Sequence, residues 1–152
     1  FARACGPEGM VEGQNRDILS ENKVLTEKEL DEIHYLKTGK LIEACVMCVC
    51  LIKKNIDDPT TEKLIEFSNK FGLAFQIRDD ILDEVGDETK IGKPIKSDIK
   101  NNKSTYPSII GIEKSQKKAE LLIDKALGIL NELPFKTDKL EFLCELVIKR
   151  KN

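Results

Sequence analysis

Apolar residues recur at helical spacing along almost the whole chain, and no stretch shows the sustained apolar–polar alternation of a half-buried strand. Helices with such apolar stripes bury them against one another. The 152 residues suffice for one domain, and a chain of this size buries about 70% of its unfolded surface. We therefore predict an all-α fold, a helical bundle without strands.

The composition excludes several broad classes of protein. Hydrophobic residues make up 40% and charged residues 34% of the chain, which argues against disorder, collagen and a disulfide scaffold. The net charge of −2 gives no electrostatic footprint for nucleic acid. The longest apolar run, Ala44 to Ile52, has nine residues, whereas a membrane span needs about 20. We expect neither a nucleic-acid partner nor a membrane span.

The five cysteines indicate a reducing environment. Their number is odd and no secretory signal precedes them, so we expect a cytoplasmic protein. Cys45 and Cys48 have a Cys-x-x-Cys spacing, but a zinc site needs four ligands. Both lie in an apolar helical stripe, where a free cysteine packs as a small hydrophobic residue. His34, the single histidine, is interpreted as a structural or surface residue.

The helix boundaries follow from local signals. Thr26 and Glu29 form a capping box, and Pro134 ends a helix. In the first helix, Gly6, Gly9 and Gly13 share one face. Each glycine costs a helix about 1 kcal/mol, so we expect a second helix or a ligand to approach this face closely. The predicted helices cover about 1–19, 27–54, 61–85, 106–112, 115–133 and 138–151, with a loop at 86–103.

The helix predicted for residues 61–85 carries a strip of acidic residues. Gln76, Asp79, Asp80 and Asp83 stand at i, i+3, i+4 and i+7, on one face between apolar neighbours. Two like charges about 4 Å apart repel by roughly 4 kcal/mol at an effective dielectric near 20. A hard cation relieves this repulsion, and Mg²⁺ commonly joins one or two carboxylates to substrate phosphates. The spacing predicts a magnesium–diphosphate site, and a solvated acidic face is the alternative. A calcium-binding EF-hand is a weaker alternative, because this helical segment lacks the loop and the central glycine that an EF-hand needs.

Two basic segments could meet an anionic ligand. Lys37 and Thr38 interrupt an apolar helical stripe, and Lys37 could act as a flexible point charge. The segment is not a P-loop, because the upstream glycine of that motif is missing. Residues 90–103 contain five lysines, including Lys93 and Lys103, which could clamp a phosphate. Taken alone, each segment favours an ordinary solvated surface.

Together these segments resemble a known family. The pattern Gly-x-x-Phe-Gln-x-x-Asp-Asp-x-x-Asp at 72–83 resembles the second aspartate-rich motif of the trans-prenyltransferases. These are the polyprenyl synthetases, which include farnesyl and geranylgeranyl diphosphate synthases. The resemblance covers an ordered set over about 1–133: Gly9-Met10, Gly13-Gln14 with Asp17, His34 to Gly39, the aspartate helix, Gly86-Asp87, Gly92-Lys93-Pro94, Asp98 and Lys103-Ser104-Thr105-Tyr106-Pro107. The last segment is most similar to bacterial farnesyl diphosphate synthases.

The resemblance implies a helical bundle around a deep cavity and Mg²⁺-dependent head-to-tail condensation. An allylic diphosphate (dimethylallyl or geranyl) would react with isopentenyl diphosphate to give farnesyl diphosphate, and the enzyme would be a homodimer. The resemblance implies that Asp79 is the main Mg²⁺ ligand and that Asp80 and Asp83 support it directly or through water. Diphosphate would be bound by Lys37, Lys93 and Lys103. The implied catalytic residues are Lys37, Thr38 and Gln76, and Thr38 and Gln76 would turn their dipoles toward the developing cation.

One part of the family pattern is missing. The first aspartate-rich motif and its pair of arginines are absent from the sequence. Asp57-Asp58 does not replace it, because Pro59 follows in a turn. The sequence that starts at Phe1 also has the pattern expected in the middle of a helix. We therefore expect residues 1–152 to be the C-terminal portion of a single polyprenyl synthetase domain, with the N-terminal half absent and these residues alone inactive.

Three other functions remain open at this point. The chain could be a non-catalytic helical subunit that docks onto an active prenyl synthase, although such a subunit would be expected to lose the three aspartates. It could belong to a longer-chain geranylgeranyl synthase. A terpene cyclase of the same fold is the third, but its Asn-Ser/Thr-Glu metal motif is absent.

Overall fold

The computed structural model describes residues 1–53, 55–85 and 103–149, and within them all regular structure is helical. This confirms the predicted all-α class. In chain order the elements are α1 (Ala2–Cys5), α2 (Met10–Leu19), α3 (Glu27–His34), a π-helical segment called π1 (Tyr35–Gly39), α4 (Lys40–Ile52), α5 (Asp58–Val85), α6 (Tyr106–Ile110), α7 (Ile112–Asn131) and α8 (Asp138–Lys149).

The core is built around α5. This helix packs against π1, α4, α6, α7 and α8, and most extensively against α7. Its first half contributes Leu64 and Phe67 to one apolar cluster, and its second half contributes Ile77 and Ile81 to another. Burial of each such side chain contributes about 1.5–3 kcal/mol. The second half of α5, which carries the acidic residues, is therefore held on a rigid scaffold.

The long helix predicted for 27–54 is present, but a π-helical segment interrupts it. The Thr26 capping box forms as predicted: Glu29 N–H donates to Thr26 Oγ1 at 3.3 Å, and Thr26 N–H donates to the Glu29 carboxylate at 2.8 Å. The segment π1 follows α3 directly and carries Lys37 and Thr38. Single π-helical turns occur frequently at functional sites, so this segment is a structural marker that the sequence pattern did not predict.

The prediction of one continuous helix over 1–19 is wrong. The chain forms α1 and α2, separated at residues 6–9. A Cβ on Gly9 would lie 2.1 Å from the carbonyl oxygen of Ala4, so the backbone folds back on itself too tightly for a side chain. Pro7 lies within this turn, and its ring does not fit a helix interior. The glycines here form the turn and do not share one helical face.

The expected close approach is confirmed at Gly13. A Cβ at this position in α2 would lie 2.2 Å from the backbone nitrogen of Lys37 and 2.6 Å from its Cα. The missing side chain therefore lets α2 lie directly against π1. The contact between π1 and α5 is less tight: a Cβ on Gly72 would lie 3.5 Å from the Cα of Gly39, an ordinary van der Waals distance.

Replacing Gly13 with Ala is expected to destabilise the protein by about 1–3 kcal/mol, because the added methyl must push α2 away from the π1 backbone. Gly128→Ala is the matched control: nothing lies within 4 Å of its Cβ position in α7, so alanine should stabilise by about 1 kcal/mol. Denaturant unfolding of both variants measures the difference. Equal effects of the two substitutions would contradict the tight contact at Gly13.

The cysteines are free thiols, and two of them lie in the core. Cys50 and Cys144 are buried in the apolar cluster of α5 and α7. Burial, with a smaller contribution from Glu141, raises the pKa of the Cys144 thiol to about 11. This thiol is therefore protonated at neutral pH and packs as a small hydrophobic residue.

Among the described helices, none combines the length and the apolar character needed to cross a bilayer.

Candidate functional site

The acidic strip lies on the last turns of α5. As predicted, Gln76, Asp79 and Asp83 belong to one continuous helix, at i, i+3 and i+7. Asp79 is half-buried, while Gln76 and Asp83 are buried. Carboxylates on a packed helix need a compensating partner, because burial without one is costly. The strip is therefore not an open acidic surface.

Asp80 is occupied by contacts within the protein. It is 8% exposed, and its Oδ2 lies 3.2 Å from Nε2 of His34 and accepts a hydrogen bond from Tyr106 N–H at 3.0 Å. Burial raises the pKa of Asp80, although the contact with His34 opposes this. The carboxylate thereby ties α5 to the end of α3 and the start of α6. Of the two interpretations of His34, as a structural or a surface residue, its 7% exposure supports the first and contradicts the second.

The aromatic partners of Asp80 extend this network. The rings of His34 and Tyr106 stack with centroids 5.8 Å apart. Tyr106 shows no exposed surface, and its hydroxyl accepts a hydrogen bond from Nζ of Lys118 at 2.8 Å. A residue from α7 thus supports the contact between α3, α5 and α6. The network holds the acidic turns of α5 in a fixed orientation.

The oxygen donors of α5 suit magnesium. Within residues 1–53, 55–85 and 103–149, no three His, Cys, Asp or Glu side chains are grouped so that they could hold a metal ion. Mg²⁺ does not require such a cage, because it commonly takes one or two carboxylates and completes its shell with water and substrate phosphates. Asp79 and Asp83 supply this donor chemistry. The predicted role of Asp80 as a supporting ligand stays a prediction, and its protein contacts favour a positioning role.

Two of the three predicted diphosphate-binding lysines meet in the structure. Lys37 from π1 and Lys103, which precedes α6, both donate to Oδ2 of Asp17, at 2.9 Å and 2.7 Å. Burial alone would raise the pKa of Asp17, but the hydrogen bonds from Lys103 and Lys37 outweigh it and hold the pKa below its ordinary value. Lys93, the third lysine, lies outside the described residues.

Thr38 and Gln76 lie beside one helix contact. Thr38 is half-buried on π1 next to Gly39, and Gly39 packs on Gly72, one turn before Gln76 on α5. The two predicted dipolar residues are therefore brought to adjoining turns of neighbouring elements. Their role toward a cation stays a prediction.

Asp17 is the site residue whose contacts the sequence reasoning missed. The sequence pattern places Asp17 only within a family motif, whereas the structure shows that it joins two of the predicted lysines. One signal could have found it: Asp17 lies one turn after Gly13 on the same face of α2, and a glycine on that face indicates a close neighbour. The identity of that neighbour, Lys37, was not available from local spacing.

The chain is similar in sequence and in structure to proteins of one known family. The polyprenyl synthetase family model matches residues 3–144. The farnesyl diphosphate synthases of Geobacillus stearothermophilus and Bacillus subtilis (strain 168) are 46% and 42% identical, over 99% and 97% of this chain. The crystal structure of a geranyltransferase from Helicobacter pylori, complexed with magnesium and isoprenyl diphosphate, is 31% identical with a TM-score of 0.78 over 96% of this chain and 48% of that one.

The chain spans about half the length of the curated relatives that it matches, 50% and 49% for the two farnesyl diphosphate synthases. The match runs through α5 and its acidic turns, through π1 and through the start of α6. On the extent of this match, the chain belongs to the polyprenyl synthetase family.

Proposed function

We propose that this chain is the C-terminal portion of a Mg²⁺-dependent prenyltransferase. The enzyme would condense dimethylallyl or geranyl diphosphate with isopentenyl diphosphate and give farnesyl diphosphate. The main support is the 46% identity to a farnesyl diphosphate synthase over 99% of the chain. The half-length match and the absence of the first aspartate-rich motif support the assignment to one portion of the domain.

The roles of the described residues follow from their chemistry. Asp79 and Asp83 would hold Mg²⁺, which neutralises the charge of the diphosphate as it leaves. Lys37 and Lys103, with Lys93, would bind the diphosphate oxygens. Thr38 and Gln76 would direct their dipoles at the allylic cation that forms when the carbon–oxygen bond breaks. Such dipoles act strongly where water is excluded. Attack by the isopentenyl double bond and loss of a proton complete the condensation.

We also propose a cytoplasmic homodimer. The five free cysteines suit a reducing compartment. The dimer rests on the family resemblance, and strongly exposed apolar residues near the end of α4, Leu51 at 76% and Ile52 at 78%, are compatible with burial by further protein. Sedimentation of the complete polypeptide tests the oligomeric state.

The complete polypeptide is expected to give farnesyl diphosphate from labelled isopentenyl diphosphate and geranyl diphosphate, and only in the presence of Mg²⁺. Residues 1–152 alone are expected to give none, because the first aspartate-rich motif is absent. Chromatography of the products checks both outcomes. A clear Mg²⁺-dependent product from residues 1–152 would contradict the second expectation.

The same assay separates the alternatives. A relative from Cyanophora paradoxa, named geranylgeranyl diphosphate synthase, is 38% identical over 99% of the chain. Geranylgeranyl diphosphate as main product would replace the farnesyl assignment. A polypeptide that is inactive alone but alters the product of an active synthase would instead be a non-catalytic subunit, although Asp79, Asp80 and Asp83 are all retained.

A further inference from the structure

Asp17 connects three separate parts of the chain through one oxygen atom. It lies on α2, Lys37 lies on π1, and Lys103 stands just before α6. Both lysine Nζ atoms bond Oδ2 of Asp17, at 2.9 Å and 2.7 Å. The distance between the two Nζ atoms therefore cannot exceed the sum of these two distances.

Two ammonium groups at this separation repel each other, and an anion that contacts both offsets this repulsion. Asp17 supplies that anion, and it is largely shielded from water, with 13% of its side chain exposed. The side chain of Lys103 is 15% exposed. The three groups together carry one net positive charge, and the more exposed Glu21 carboxylate lies 4.0 Å from Nζ of Lys103.

The backbone holds Asp17 in this position. Gly13, one turn earlier, lets α2 lie against the backbone of Lys37. One turn later, Ser20 Oγ donates to the carbonyl oxygen of Asp17 at 2.7 Å. The lowered pKa of Asp17 means that its carboxyl group is ionised at neutral pH. The carboxylate is therefore placed by the packing of α2 on π1.

We propose that Asp17 is a positioning residue, whose carboxylate gathers Lys37 and Lys103 so that both ammonium groups are preorganised for one allylic diphosphate. This inference rests on the proposed function and deepens it, because it assigns to α2 a residue that acts through the two lysines. A preorganised pair loses less conformational freedom when the ligand binds. Without Asp17, the lysines separate and each must be brought back by the ligand.

The test is steady-state kinetics of the complete polypeptide with Asp17→Asn and Asp17→Glu. We expect Asp17→Asn to raise the KM for the allylic diphosphate roughly tenfold and to leave the KM for isopentenyl diphosphate unchanged. Asp17→Glu should restore part of the loss, since it keeps the charge. A merely structural role would not single out one substrate or allow this rescue. An unchanged or lowered KM for the allylic diphosphate overturns the proposal.

Glu21→Gln is the matched control for charge. The Glu21 carboxylate lies 4.0 Å from Nζ of Lys103 and is more exposed, so this variant also removes a negative charge beside Lys103 but leaves Lys37 held. It should keep the wild-type KM. An equal increase in the KM of Glu21→Gln would show that the loss of any carboxylate contact to Lys103 has this effect, and would overturn the positioning role.

Direct binding separates this inference from the proposed function. Calorimetric titration of wild type and Asp17→Asn with inorganic diphosphate measures the lysine pair without turnover. A roughly tenfold weaker affinity in Asp17→Asn supports the positioning role, and equal affinities overturn it. An inactive wild type would contradict the prenyltransferase function alone, whereas an active wild type with unaltered Asp17→Asn would contradict the positioning role alone.

Discussion

Replacing Asp79 with Ala in the complete polypeptide is expected to lower turnover by at least about 100-fold, because the substitution removes the carboxylate proposed to hold the magnesium ion. The fold should survive. Asp79 is half-buried on α5, and alanine has a higher helix propensity than aspartate. Steady-state turnover at saturating Mg²⁺, together with circular dichroism and thermal unfolding, measures both expectations.

Glu84→Ala is the matched control for this substitution. Glu84 is another half-buried carboxylate on the last turns of α5, but five residues of helix turn it away from the face of Asp79. Turnover of Glu84→Ala should stay within a few-fold of wild type. If Asp79→Ala also stays within a few-fold, the assignment of Asp79 as the main ligand is wrong.

Replacing Asp80 with Ala is expected to destabilise the protein by roughly 3 kcal/mol. The substitution leaves Nε2 of His34 without its hydrogen-bond partner and the N–H of Tyr106 without its acceptor. Each buried polar group that loses its partner costs about 1–3 kcal/mol. Denaturant unfolding with linear extrapolation measures the loss. The exposed carboxylate of Glu145 on α8 offers a comparison, since Glu145→Ala removes only a surface ion pair with Lys149 and should cost little.

Asp80→Asn tests whether the hydrogen bonds carry this stability. Asparagine keeps an oxygen that can accept from Tyr106 N–H and fills the same space, so most of the stability should return. If Asp80→Ala unfolds at the same denaturant concentration as wild type, the network of His34, Asp80 and Tyr106 does not hold α5 in place.

Local signals predicted the helices well. The 3.6-residue period of apolar positions needs no knowledge of distant contacts, so the all-α class and the acidic turns of α5 follow from it. Helix boundaries differ from the prediction by a few residues. α5 begins at Asp58, three residues before the predicted start at 61. The Asp57 carboxylate accepts from Thr60 N–H at 2.9 Å, and Pro59 is tolerated in a first turn.

The parts that could not be predicted depend on distant contacts. Helical spacing places Asp79 and Asp80 on the same broad face, but only the second meets His34, which is 46 residues away in sequence. Lys103 is 86 residues from Asp17. The break between α1 and α2 is a different case, because Pro7 and the tight approach of Gly9 to Ala4 are local features. The contacts of Asp80 with His34 and of Lys103 with Asp17 are not visible in the local pattern.

The winding of π1 links the position of Lys37 and Thr38 to the packing of α4 on α5. A π turn accommodates one more residue than an α turn, and one residue corresponds to about 100° of rotation. Converting Tyr35–Gly39 into ordinary α-helix would therefore rotate α4 relative to α3 and turn its apolar stripe away from α5. The chain cannot regularise this helix without either displacing Lys37 and Thr38 or repacking the interior.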